Sequence, residues 1–248
     1  MQTAVDKAQS FVASQFASRR AFPPHPTGTE GPAVTISHQS GSGAQEVADL
    51  LAELLKQADP GALPWTVLDR QLIERALAEH QWPPHLLKKI PEDKRSYLDD
   101  VLDDLFGLRP PSWVLVPQIV ETMRRLAEAG HVVLIGHGAT IITRRLANVF
   151  HARLVAPLAT RISRVQASHN LTAEAANDFV ETEDRGRRRY VRANFHARLE
   201  DELLYDVVVN TEHLACADAA AIIAAAARRY FQSRLGRPPL GEPPPIQH

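Results

Sequence analysis

The chain has 248 residues, 44% of them hydrophobic and 23% charged, with a formal net charge of -1. That balance belongs to a globular protein long enough to bury a sizeable core, and it excludes a global attraction to nucleic acid or to an anionic membrane. No apolar run approaches the roughly 20 residues of a membrane span, and the N-terminus lacks the basic segment and apolar stretch of a secretory signal. The single cysteine, Cys216, rules out an internal disulfide and suits a reducing compartment, so a cytoplasmic protein is expected.

In chain order, residues 3–20 carry Val5, Ala8, Val12 and Phe16 at helical spacing and end on Arg19-Arg20, which suits a helix C-terminus. A linker rich in proline, glycine and threonine follows to Pro32. Ala33 to Ile36 reads as a short buried strand, then a glycine-rich turn, then a helix from Gln45 to Gln57. Trp65 to Leu68 is a second strand, ending at Asp69. Helical patterns cover 71–80 and 95–106, and a longer one runs from Pro117 to Ala129 and stops at Gly130. His131 to Ile135 is an apolar strand followed by Gly136-His137-Gly138. Phe150 to Ala156 is the fourth strand, stopped by Pro157. Helices follow over 159–169 and 172–192. Tyr205 to Asn210 is the last strand, and the alanine-rich segment 218–234 is a closing helix. The proline-rich stretch 236–248 reads as a tail. Strands separated by helices of this length predict an α/β fold: a five-stranded parallel sheet covered on both faces, a three-layer sandwich. The organisation expected is an arm at 1–32, a domain at 33–235 and a tail at 236–248.

The turn after the first strand is Ser37-His38-Gln39-Ser40-Gly41-Ser42-Gly43-Ala44-Gln45-Glu46. Between a buried strand and a helix, small residues let backbone N–H groups curl around a phosphate, and the helix N-terminus adds a favourable dipole. Against the pattern GxxxxGK[ST], His38 takes the first glycine position, Gly43 the second, Ala44 the lysine position and Gln45 the Ser/Thr position. The context fits a phosphate-binding loop and the residue pattern does not. An ordinary strand-to-helix turn with two glycines is the alternative.

The segments VTISHQSGSGAQEVADLLAELL, VLDRQLIERALAEH, VVLIGHGATII, VFHARLVAPLATRISRV, ETEDRGRRRYVRANF and LYDVVVNT, in this order and spacing, resemble the cytidylate kinase-like family. That family is similar to bacterial cytidylate kinases and to the P-loop nucleoside monophosphate kinase fold. The resemblance covers about residues 33–232. It implies a P-loop kinase-like core, a monophosphate-binding part at 70–115 and a helical LID at 171–197. The family often reads S-R-Q-x-G-S-G-G-R-E in its loop and G-R-G-A after the central strand. This chain has Ala44-Gln45 in the first and Gly136-His137-Gly138-Ala139 in the second, so cationic positions near the expected phosphates are lost or weakened.

The resemblance assigns roles residue by residue. Gly41, Ser42, Gly43, Ala44, Gln45 and Glu46 would hold the donor, ATP or another nucleoside triphosphate. Asp69, Arg75, Gly136 and His137 would lie near the acceptor. Arg185, Arg187 and Arg189, which follow Asp184 as in the family's D-R-x-R-x-R-Y pattern, would clamp the transferring group. On a helix, Arg185, Arg188, Arg189 and Arg192 share one broad face and Arg187 sits off it. Glu46 and Asp69 are candidates for holding Mg2+, directly or through water. No HExxH, Cys/His cluster or GxSxG elbow is present, so neither a zinc site nor covalent catalysis is expected.

The function expected is phosphoryl transfer from a nucleoside triphosphate to a nucleoside monophosphate, with CMP the acceptor the resemblance suggests, or to a similar small molecule. The alternative is a degenerate kinase fold that binds nucleotide without turnover, as a sensor or interaction module. Nucleotides are the partners expected, without membrane or nucleic acid. The N-terminal helix offers a surface through which a homo-oligomer could form.

Overall fold

The computed structural model describes residues 31–58, 64–69, 115–136 and 138–235. The arm, the tail, both helical patterns between 71 and 106, and Arg75 and His137 lie outside the described residues. The elements are β1 (Ala33–His38), α1 (Ala44–Ala58), β2 (Thr66–Leu68), α2 (Leu115–Ala129), β3 (Val132–Ile135), the short α3 (Ala139–Ile142), β4 (Val149–Val155), α4 (Leu158–His169), α5 (Ala173–Phe195), a 3-10 turn (Glu202–Leu204), β5 (Val207–Asn210) and α6 (Cys216–Leu235). The five strands form one sheet in the order β2-β3-β1-β4-β5, and each neighbouring pair is parallel. The elements expected from the sequence within this span are present, with ends shifted by a few residues. Hydrophobic periodicity does not resolve α3 and the 3-10 turn, because each is a single turn.

Alternation along β1 builds the three layers. Val34 and Ile36 face α1 and α6, in a core with Val47, Leu51, Phe150, Leu154, Ile223 and Phe231. Ala219, Ala220 and Ala227 of α6 are fully buried there; their small side chains let the helix lie close on its neighbours. Ala33 turns the other way, into a second core with Met123 and Leu126 of α2, Leu134 of β3 and Val149 of β4. α4 and α5 form a helical pair joined at Asn170, which adopts a left-handed conformation, and α5 takes up most of residues 171–197. Thr172 caps α5 by accepting a hydrogen bond from the N–H of Ala175 at 3.2 Å, a contact that supplies one of the helix's otherwise unmet donors.

The second face of the sheet is not apolar throughout. Register pairs Thr35 with His151 and Ser37 with Arg153, and all four residues are buried. Thr35 Oγ1 lies 2.8 Å from His151 Nδ1 and 3.1 Å from Thr140 Oγ1. A sheet face meant only for packing would not carry this stripe, because buried polar groups need partners.

Because every strand runs the same way, the loops after β1, β2 and β3 meet at one carboxyl edge. This edge gathers residues 39–43, Asp69 and Gly136 as expected. Ile36→Ala tests the central core. It removes most of a fully buried side chain and should cost about 2–5 kcal/mol, read as a lower urea midpoint at unchanged slope.

Candidate functional site

The loop between β1 and α1 is held from both sides. Ser42 donates its N–H and its hydroxyl to Gln39 O, at 3.1 and 2.7 Å. Thr211, just past β5, donates to Ser42 O at 3.0 Å, and Arg164 fixes Thr211 through two further bonds. Gly41 has a φ of +78°, and a Cβ there would stand 2.5 Å from Arg161 O. Only glycine allows the loop to lie this close to α4. The N–H groups that open α1, Ala44 to Glu46, are those every helix leaves without an internal acceptor, and they crown the carboxyl edge of the sheet.

A buried ion-pair cluster fastens this loop to α5. Asp184 Oδ1 accepts from the N–H of Ser40 at 2.9 Å and from Arg187 Nη2 at 2.6 Å. Asp184 Oδ2 accepts from Arg161 Nη1 at 2.7 Å. Arg161 also donates to Ser40 O at 3.2 Å and to Ala156 O at 2.9 Å. Arg187 donates to Ser40 Oγ and, at 3.1 Å, to Glu183. Burial alone would raise the Asp184 pKa, but the Ser40 N–H and the Arg187 and Arg161 charges outweigh it and hold the carboxyl below its ordinary range.

Beside the cluster is a narrow cleft lined by Ser37, His38, Gly136, Gly138, Arg187 and Tyr205, among others. Its volume is about 20 Å3, room for little more than a water molecule. Gly138 (φ +76°) lies under the Phe195 ring, and a Cβ there would come within 2.7 Å of it. The end of α5 can therefore settle directly on the turn after β3. His38 is part-buried, with Nδ1 covered and without a hydrogen-bond partner. Burial, assisted by the charges of Arg187 and Arg153, lowers its pKa to about 3, so the imidazole is neutral at physiological pH.

The chain matches the Cytidylate kinase-like family over residues 33–213, which is most of its length. The chain belongs to the cytidylate kinase-like family. Among curated proteins, none matches it. Among solved structures it is similar to an uncharacterized protein from Eubacterium ventriosum, at 17% identity and a TM-score of 0.57, covering 82% of this chain and 99% of that one. That likeness supports the fold. A shikimate kinase from Bacteroides thetaiotaomicron (14% identity, TM-score 0.41, 83% and 99% covered) and a gluconokinase from Sinorhizobium meliloti (15%, 0.43, 83% and 99%) are more distant and carry no argument.

The structure shows what stands at the standard lysine position and at the next one, where the family often carries arginine. Ala44 is buried in the α1–α6 core. Gln45 is exposed and donates to Asp49 one turn along the helix, at 3.2 Å. Glu46 interacts with Cys216, whose thiol pKa is raised by burial and by this carboxylate. Among the described residues no group of three or more His, Cys, Asp or Glu side chains is placed to hold a metal. Mg2+ bound mainly by nucleotide phosphates and water would need only one or two protein ligands, and the two candidates, Glu46 and Asp69, both lie at this edge of the sheet.

The arginine series divides unexpectedly. Arg185, Arg188 and Arg192 are exposed, and Arg185 is 3.8 Å from Glu181. Arg187, off the face that spacing favours, is the arginine that reaches the loop. Arg189 is part-buried. Sequence reasoning gave no role to Ser37, Arg153, Arg161 or Tyr205 and none beyond position to His38 and Asp184. The signal available was polar residues at i and i+2, Thr35/Ser37 and His151/Arg153, inside strands otherwise apolar.

Two tests follow from the cluster. Asp184→Asn removes the charge facing two buried guanidiniums and should destabilise the fold by about 3–5 kcal/mol. Because the folded pKa of Asp184 is depressed, its contribution is present above the unfolded value of about 3.9 and fades as pH falls through the folded one; the variant's stability should therefore fall less steeply in acid than the wild type's. His38 adds an acid-labile contribution of its own, since the unfolded chain takes up a proton near pH 6.5 and the folded chain does so only near 3. His38→Gln should flatten the stability profile between those values, measured by urea unfolding across pH.

Proposed function

We propose that this kinase-like protein binds a nucleoside triphosphate at the β1–α1 loop and transfers its γ-phosphoryl to a nucleoside monophosphate, CMP by family likeness, or to a similar small acceptor in the adjoining cleft. The observation that carries the reading is the bond from Arg187, the middle one of the three arginines, to the loop residue Ser40. In this reading residues 70–115 are the monophosphate-binding part and 171–197 the LID. The α1 N–H groups and the helix dipole receive the donor phosphates. Asp69, Arg75, Gly136 and His137 border the acceptor. Arg185, Arg187 and Arg189 stabilise charge on the transferring group, where fixed cations act most strongly. Mg2+, when bound with the nucleotide, supplies charge neutralisation between the phosphates. No helix among the described residues is long and apolar enough to cross a membrane; cytoplasmic residence and assembly through the N-terminal helix belong to the same proposal.

A specific observation favours a second reading, nucleotide binding without turnover. Ala44 and Gln45 carry no charge, and the charge of Arg187 is already shared with two carboxylates. Thermal-shift titration with a nucleotide panel, with and without Mg2+, followed by a transfer assay on the best donor and acceptor, decides between them. Binding with transfer supports the kinase; binding without transfer selects the second reading. In an active protein, Arg185→Ala and Arg189→Ala should each lower kcat about 10- to 1,000-fold while changing donor Kd less than about 3-fold, the pattern of groups that act in the transition state. Equal losses in rate and binding would remove the clamp role.

A further inference from the structure

The amino edge of the sheet, opposite the glycine-rich loop, carries a second cavity of about 260 Å3, close to the roughly 300 Å3 at which small-molecule sites begin. Ligands of open α/β sheets are customarily held at the carboxyl edge, and the function proposed above uses no residue of this cavity. It opens where β4 runs past the start of β5, whose first residue, Val207, pairs only with Ala152. Arg144 and Arg145, from the turn before β4, and Arg234, near the end of α6, line it with His151, Tyr230 and Asp206, among others. Among the described residues no carboxylate forms a salt bridge with any of the three arginines. Asp206 is the one carboxylate among the described lining residues, and its Oδ2 accepts from the N–H of His151 at 2.8 Å. Guanidiniums keep their protons, and a cavity lined mainly by one sign of charge concentrates ions of the other. The excess is local, since the whole chain has a formal net charge of -1.

The walls are fixed by the fold. Thr143 and Asn148 bracket the turn that carries Arg144 and Arg145, and both are fully buried. Thr143 donates to Ala139 O at 2.7 Å, and Asn148 donates to Gly31 O and Ala127 O at 2.7 and 2.8 Å. The Arg234 guanidinium lies 5.5 Å from the centre of the Tyr230 ring, which packs edge-on against Phe150. His151 lines the cavity although it is only 7% exposed. Its Nδ1 is engaged with Thr35 Oγ1 at 2.8 Å, which leaves Nε2 for a ligand. Burial lowers its pKa from the ordinary histidine value, so the ring is neutral at physiological pH, and Nε2 carries the proton when Thr35 donates to Nδ1. We propose that Arg144, Arg145 and Arg234, with His151 and Tyr230, form a binding site for a small molecule carrying at least two anionic groups, carboxylate or phosphate. Each guanidinium fork matches one such group, and forks standing on two separate walls call for more than one. The proposal does not depend on the kinase reading, which concerns the opposite edge of the sheet.

Citrate and pyrophosphate are the probes, one for each kind of anionic group. They are titrated against the full chain by calorimetry at matched ionic strength, with acetate as the monoanion control. At least one should bind about ten-fold or more tighter than acetate, because it engages several guanidiniums at once. Arg144→Gln with Arg234→Gln should weaken that binding by about ten-fold or more. Ala147→Glu sets a carboxylate among the arginines from an exposed position; it should do the same, and it serves if the double variant does not fold. Arg124→Gln with Arg125→Gln removes the same charge from the exposed face of α2 and should leave the affinity unchanged. Pyrophosphate that also occupies the β1–α1 loop would register as a second equivalent, of which the cavity variants should remove one. Loss of citrate binding in the cavity variants assigns the site to carboxylates, and loss of pyrophosphate binding assigns it to phosphates. Affinities and stoichiometries that stay unchanged for both probes in the cavity variants overturn the proposal. So does an equal loss in the α2 variant, or a wild type that binds neither probe more tightly than acetate.

Discussion

Asp184 has two oxygens and three donors for them: the N–H of Ser40 and one guanidinium each from α4 and α5. A carboxylate removed from solvent is tolerable only if its partners are charged and well placed, and here both conditions are met within a few ångströms. The consequence is mechanical. The β1–α1 loop, the helix before Asn170 and the helix after it share one charged hub, so none can shift without the others paying an electrostatic penalty. Gly41 makes the hub compact by letting the loop backbone touch Arg161, and Gly138 closes the far end by seating Phe195.

The same edge separates two kinds of arginine. Arg161 and Arg187 share the Asp184 carboxylate, and Arg187 has Glu183 besides. Arg153 has hydroxyls for company and keeps its charge. Arg185 and Arg188 are exposed, and Arg185 pairs with Glu181 on the helix surface. Similar side chains within one short stretch of space therefore differ in what they can contribute, and the difference lies in their neighbours rather than in their spacing along the helix.

Much of the fold was legible in the sequence. Apolar runs such as Val132 to Ile135, bounded by glycine, have few other homes than a parallel sheet, and the order of segments carried the family likeness that residues 33–213 bear out. The glycine loop could be placed at the sheet's carboxyl edge because strand direction follows from alternation with helices. Side-chain partnerships were less accessible. Helical spacing put Arg187 off the arginine-rich face, yet which face of α5 is buried depends on Val180 meeting α4, Asp184 the loop and Val191 the cluster with Ile141 of α3, a tertiary fact. Arg153 looked like one more residue of a buried strand. Its polar partnership emerges only from register, which sets it across from Ser37, and from the return of Tyr205 beside both.

The strand order has a kinetic consequence. β1 lies at the centre of the sheet, but its partners are β3 and β4, with Ala33 opposite Val132 and Val149, roughly a hundred residues along the chain, a separation that slows folding by raising contact order. During synthesis, β1 and the amphipathic α1 emerge long before the strands that flank them and must wait with apolar surface uncovered, the circumstance in which nascent chains aggregate or recruit chaperones. The glycine-rich turn between them is therefore among the first parts of the domain to be made and among the last to acquire its shape, since the hub that fixes Ser40 requires residues from α4 and α5.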